Sequence, residues 1–188
     1  MKEEEKRMKI QSHILAIVQV FEDYIDLDSD ALMKEINQSH LRKNDNNDHT
    51  FFEDFKYPNT PMLEDLKTNI HLKVEKIMNI ELDLDEIWIH KTPPKAQTGL
   101  HNHAGALCSF VYYPKFIEEQ GSLRFILFWN GSIIEKIIKP KEKMLLIFPS
   151  EVFHFTSQNN TEIERVSISG NFDRKKLDKL WDIVIIII

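Results

Sequence analysis

One cysteine in 188 residues, Cys108, cannot close an intramolecular disulfide. No disulfide framework organises this chain, and a reducing, cytoplasmic setting is expected. The chain also lacks an excess of positive charge: a net charge of -6 and a pI near 5.8 argue against a broad nucleic-acid-binding face, so no nucleic-acid partner is expected. Long apolar runs are missing too. The terminal stretch Ile183-Val184-Ile185-Ile186-Ile187-Ile188 is far below the roughly 20 residues that span a bilayer, and it reads as a buried or edge strand that would invite aggregation if exposed. The charged start Met1-Lys2-Glu3-Glu4-Glu5-Lys6-Arg7 is not followed by a signal-peptide pattern. No internal repeat is visible, and no membrane partner is expected.

With 42% hydrophobic and 29% charged residues, the chain can bury a proper core. A single domain over residues 1–188 is expected: a helix-and-strand lead-in to residue 80, a β-rich core over 81–173 and an extension over 174–188. The lead-in offers a strand-like run from Ile14 to Val20, a short helix begun by Asp28 or Ser29, and a polar loop from Lys43 to His49. A longer helix follows, with Thr60 and Pro61 at its start and Leu63, Leu66, Ile70, Val74 and Ile77 at helical spacing. Thereafter the period shortens. Strands are expected at Glu86–Lys91, Leu107–Tyr113, Ser122–Trp129, Ser132–Ile138, Met144–Phe148 and Ile163–Phe172, with Asn130-Gly131 as a hairpin turn. Short strands at this spacing predict an antiparallel jelly roll, mainly β with flanking helices.

The chemistry concentrates in three histidines and one arginine. His101-Asn102-His103 and the distant His154 lie beside strand-like runs, an arrangement that can assemble three metal ligands on one face. Neutral imidazoles suit iron, zinc, copper or nickel, and three facial ligands leave coordination positions open. On the strand after Leu107, alternation puts Ser109, Val111 and Tyr113 on one face and Phe110 and Tyr112 on the other; on the last strand Arg165, Ser167 and Ser169 point together. A guanidinium buried in a small barrel without a partner costs several kcal/mol, so a carboxylate guest fits it. The alternative is a surface Arg165 answering Glu162 or Glu164. His13, His40, His49 and His71 have no partners at ligand spacing and read as ordinary histidines. His90 shares a strand face with Trp88 and could point into the barrel mouth, although packing is its simpler role. Cys108 faces away from Ser109 and reads as an inert buried thiol.

From Trp88 to Phe172 these residues resemble the non-haem iron(II), 2-oxoglutarate-dependent oxygenase superfamily, and within it a phage and bacterial group related to the prolyl 4-hydroxylases. The likeness is carried by Trp88, the run from His101 to Tyr113, Gly121-Ser122-Leu123-Arg124-Phe125, Phe148-Pro149-Ser150 before His154, and the run from Arg165 to Phe172. It implies a double-stranded β-helix of cupin-like form, with iron(II) held by His101, His103 and His154 and 2-oxoglutarate as cosubstrate. Arg165 and Ser167 would match its Arg-x-Ser pattern, with Tyr113 and Ser109 in the same cofactor-binding set and His90, Trp88 and Asn171 around the pocket. The chain departs from the family's usual His-x-Asp, since His103 stands where the carboxylate normally sits. The resemblance implies hydroxylation of a peptide or small-molecule substrate, with a homodimer left open. Two alternatives stay open: a three-histidine cupin-like dioxygenase that needs no 2-oxoglutarate, and a non-catalytic, metal-stabilised binding or structural module.

Overall fold

Alternation of side chains across one strand divides the interior of the protein, which a computed structural model describes over residues 18–39 and 53–175. In chain order the elements are Phe21–Tyr24 (β1), Ser29–Gln38 (α1), Glu53–Lys56 (β2), Pro61–Met78 (α2), Leu82–Thr92 (β3), Cys108–Tyr113 (β4), Leu123–Trp129 (β5), Ser132–Ile138 (β6), Met144–Pro149 (β7), Phe153–Thr156 (β8) and Arg165–Arg174 (β9). On β4, Cys108, Phe110 and Tyr112 enter the core beneath the helices. Val111 and Tyr113 enter a second core with Leu123, Phe125, Met144, Leu146 and Phe148. One strand thus floors two compartments, because successive side chains leave opposite faces.

The larger sheet has the order β1-β7-β4-β9-β3-β2 and the smaller one β6-β5-β8, and every pairing is antiparallel. Residues 96–101 extend the smaller sheet beside β8: the Thr156 N–H donates to the Thr98 carbonyl at 3.2 Å, and His101 bridges His154. The architecture is a double-stranded β-helix, mainly β with two flanking helices. The Asn130-Gly131 hairpin joins β5 to β6, with φ of 47° and 75° at its two central residues, the paired positive values a type I′ turn needs. Among the described residues no helix is long and apolar enough to cross a membrane.

The helices cover the outer face of the larger sheet. Asp28 caps α1, accepting from the N–H groups of Asp30 and Ala31 at 3.0 Å, and Leu32 and Ile36 one turn apart are fully buried. Pro61 opens α2, whose Leu63, Leu66, Ile70 and Val74 are also fully buried, while Ile77 is partly buried against the same core. Thr60 does not cap α2 through its side chain; its hydroxyl donates instead to Glu35 Oε2 at 2.5 Å and ties the two helices together.

Three expectations need correction. Of the expected strand from Ile14 to Val20, residues 18–20 are not in a strand and Ile14 to Ile17 lie outside the described residues; the first described strand begins at Phe21. The last strand starts at Arg165, not Ile163, because Ile163 sits in a turn in which its carbonyl accepts from Asn159 Nδ2. Two four-residue strands, β2 and β8, were not expected at all, since four residues carry too little periodicity to register. Neighbours across the sheet supply what the local pattern lacks. The Lys43–His49 loop, His13, His40, His49 and the terminal Ile183–Ile188 run lie outside the described residues.

Candidate metal centre

The segment between β3 and β4 carries two of the three histidines, and backbone hydrogen bonds hold it against the third. The His101 N–H donates to the His154 carbonyl at 3.0 Å, the His154 N–H returns the bond at 2.8 Å, and the His103 N–H donates to the Ser150 carbonyl at 2.8 Å. His154 lies on the inward face of β8, because its neighbour Phe153 points out and its cross-strand partner Phe125 is core. The ring centroids of His101, His103 and His154 are 4.3 to 5.2 Å apart. One ring nitrogen from each lies within 4.8 Å of the others.

Their protonation is set locally. His101 Nδ1 lies 2.8 Å from the Gly99 carbonyl, and His154 Nδ1 lies 2.9 Å from the Val152 carbonyl. A carbonyl only accepts, so Nδ1 carries a proton in both rings, and in the neutral ring it is Nε2 that can take a metal. Burial, followed by repulsion from His101, pushes the His154 imidazole down to about 3 against the opposing effect of its bond to Val152. A neutral, oriented imidazole is the form that binds a metal. Three imidazoles clustered in this way fit a first-row divalent ion.

Further into the same cavity, of about 560 Å³, lies Arg165. It is 2% exposed, which overturns the surface alternative; Glu162 and Glu164 pair instead with Lys95 and Lys91. Its guanidinium donates to the carbonyls of Gln120 at 2.6 Å and Ser157 at 3.2 Å, and to the hydroxyls of Thr156 at 2.7 Å and Thr92 at 3.2 Å. All four acceptors are uncharged. Desolvation lowers the guanidinium's pKa, with Tyr113 opposing. A buried cation held only by neutral groups fits an anionic guest, and the distal carboxylate of 2-oxoglutarate has the charge and shape for it.

The cavity gathers most of the remaining expected residues. Tyr113, with its hydroxyl pushed up to about 12 by burial, lines it, as do Ser167, His90 and Trp88. His90 Nε2 is 3.0 Å from Thr98 Oγ1, and the Trp88 ring lies 5.5 Å from that of His103. Ser109 and Asn171 do not line the cavity. The Ser109 hydroxyl donates to Asn171 Oδ1 at 2.8 Å and lies 2.9 Å from the Ser150 hydroxyl, so both residues knit β4, β9 and the turn after β7 together. His71 is the ordinary residue expected, paired with Glu75 at 3.3 Å and edge-on to Phe172. Cys108 is buried, with its thiol pushed up to about 12.

Thr92, Thr98 and Thr156 were missed. Two of them were within reach of the pattern: Thr92 continues the Trp88, His90 face of β3 by one more period of two, and Thr156 lies two residues beyond His154 on the inward face of β8.

Residues 130–171 match the family model described as "Putative 2OG-Fe(II) oxygenase". That segment holds both His154 and Arg165. Over that segment the chain is similar to the 2OG-Fe(II) oxygenases. Solved structures of 2OG-Fe(II) oxygenases share its fold. The α-ketoglutarate-dependent epimerase SnoN from nogalamycin biosynthesis superposes with a TM-score of 0.67 at 13% identity, over 82% of this chain and 77% of its own. A Pseudomonas putida prolyl-4-hydroxylase gives 0.58 at 20% identity, over 83% and 92%. HygX from Streptomyces hygroscopicus, solved with nickel and 2-oxoglutarate bound, gives 0.62 at 12% identity, over 85% and 84%. At these identities the structures bear on the fold alone. No curated protein sequence matches the chain significantly.

Proposed function

We propose that this protein is an oxygenase that hydroxylates its substrate in an iron(II)- and 2-oxoglutarate-dependent reaction, with His101, His103 and His154 holding the metal and Arg165 holding the distal carboxylate of 2-oxoglutarate. The observation that carries the reading is the buried Arg165 guanidinium, bonded only to neutral acceptors, in one cavity with three histidine donors. Bound together, iron(II) and 2-oxoglutarate supply the oxidative decarboxylation that yields succinate and carbon dioxide and inserts the other oxygen atom of O₂ into a substrate C–H bond.

The chain's own residues orient and shield. Arg165, Thr156, Tyr113 and Ser167 line the cavity, and the Thr92 hydroxyl behind them holds the Arg165 guanidinium. The Gly99 and Val152 carbonyls hold Nδ1 of two imidazoles and leave Nε2 as the nitrogen for a metal. Phe148 and Phe125 pack against His154 with ring centroids 4.8 and 6.0 Å away and keep water from its buried side. The likeness to a prolyl-4-hydroxylase supports a peptide substrate, and the likeness to SnoN and HygX supports a small molecule.

Three imidazoles also suit a cupin-like dioxygenase without a cosubstrate, so the test turns on 2-oxoglutarate. With iron(II) and air, 2-oxoglutarate should be converted to succinate, slowly without a substrate and faster with one, and Arg165→Leu should lose that turnover. Oxygen uptake indifferent to 2-oxoglutarate would instead support the cupin-like reading.

A further inference from the structure

Replacing a carboxylate by His103 changes the charge of the cavity, and nothing else in the lining restores it. Among the described residues, the lining contains no aspartate, glutamate or lysine, and Arg165 is its one fully charged side chain. The acidic residues near the site are turned away from it: Glu151 is exposed, Glu86 is exposed while accepting from Asn171 Nδ2 at 3.4 Å, and Glu164 pairs with Lys91. The remaining wall on the histidine side is neutral, formed by Trp88, Leu100, Asn102 and Ser169.

A divalent metal and Arg165 together bring three positive charges, and 2-oxoglutarate brings two negative ones. Three neutral imidazoles add none. One positive charge is left uncompensated in a cavity whose other walls are uncharged, where a carboxylate at position 103 would have cancelled it. We infer that the substrate group entering this cavity is an anion, a carboxylate or similar acid, presented on an apolar or aromatic body that packs on Trp88 and Leu100. This rests on the proposed reading of the metal and cosubstrate sites and adds the substrate class to it. At an effective dielectric constant of about 20, one unit charge across several ångströms favours an anion over a neutral analogue by roughly 10- to 100-fold in affinity, and disfavours a cation by a similar factor.

Three probes of one shape separate the charge term from the packing term: phenylacetate, benzyl alcohol and benzylamine. Each is titrated into protein loaded with manganese(II) and saturating 2-oxoglutarate, and paramagnetic relaxation of its ring protons reports binding close to the metal without turnover. Phenylacetate should bind about 10-fold or more tightly than benzyl alcohol, with benzylamine weakest. In His103→Asp, still loaded with manganese and 2-oxoglutarate, phenylacetate should fall to the level of benzyl alcohol. Equal behaviour of the three probes, including no binding by any of them, overturns the inference, as does an anion preference that persists in His103→Asp. Calorimetry on the same samples keeps the two levels apart: failure of manganese or 2-oxoglutarate to bind the wild type overturns the proposed function, whereas normal loading without charge preference overturns the substrate class alone.

Discussion

His101 and His154 exchange a pair of backbone hydrogen bonds, at 3.0 and 2.8 Å, across 53 positions of sequence, and the exchange brings their rings to 4.3 Å between centroids. The pairing belongs to the backbone, so it survives changes to either side chain. That separation of scaffold from donor makes the centre testable by substitution.

His154→Ala should leave the fold intact by circular dichroism and abolish binding of manganese(II) or iron(II), a loss of at least about 100-fold, since one of three donors goes while the ladder bonds stay. Undiminished metal affinity in the variant would remove His154 from the donor set.

Arg165→Leu should weaken 2-oxoglutarate binding to manganese-loaded protein by roughly 30-fold or more, the effect of leaving a buried charge-assisted pair half made, about 2–5 kcal/mol. Manganese affinity itself should change little. An equal loss of both in calorimetry would mean that Arg165 supports the fold of the cavity rather than its cosubstrate.

Cys108 supplies a pH dependence. Burial raises its thiol from 9.0 to about 12, so as pH climbs past 9 the unfolded chain releases this proton while the folded chain keeps it. The unfolded state then binds fewer protons, and stability falls with rising pH, by at most about 1.4 kcal/mol per pH unit from this group. Denaturation midpoints between pH 8.5 and 10 should therefore decline in the wild type and less so in Cys108→Ala. The native thiol should also resist a disulfide-exchange reagent at pH 8 and react once denaturant unfolds the chain.

Gly170 marks the closest approach of β9 to its surroundings. A methyl group there would meet the Glu86 carbonyl oxygen at 2.4 Å and the Phe110 ring at 2.6 Å. Backbone cannot yield as a flexible side chain can, so Gly170→Ala should cost about 1–3 kcal/mol or more in chemical denaturation. A neutral result would mean that β3 and β9 separate more easily than their ten-residue register suggests.

Much of the centre was legible before folding was considered. Histidines at 101, 103 and 154 stood out because their type and spacing suit metal ligation, and Arg165 because alternation put it on one face with Ser167 and Ser169. The same alternation failed at its ends. Ser109 shares a face with Tyr113, and Asn171 follows Ser169 on the inward side of β9, yet they hydrogen-bond to each other where the strands converge and stay out of the cavity. A period of two tells which way a side chain points, not how far along the barrel the cavity extends.

The sequence by itself determined which residues face inward, where α1 and α2 begin, and that Asn130-Gly131 turns a hairpin, because each of these depends on local backbone geometry and on period. Only the tertiary structure decided that Thr92 and Thr156 join Arg165, that Glu162 and Glu164 do not, and that β8 exists at all. Those outcomes depend on pairing between segments far apart in the chain: β8 is a strand because β5 lies beside it, and Arg165 is buried because Thr92, Gln120 and the pair Thr156-Ser157 converge on it from three separate stretches of sequence.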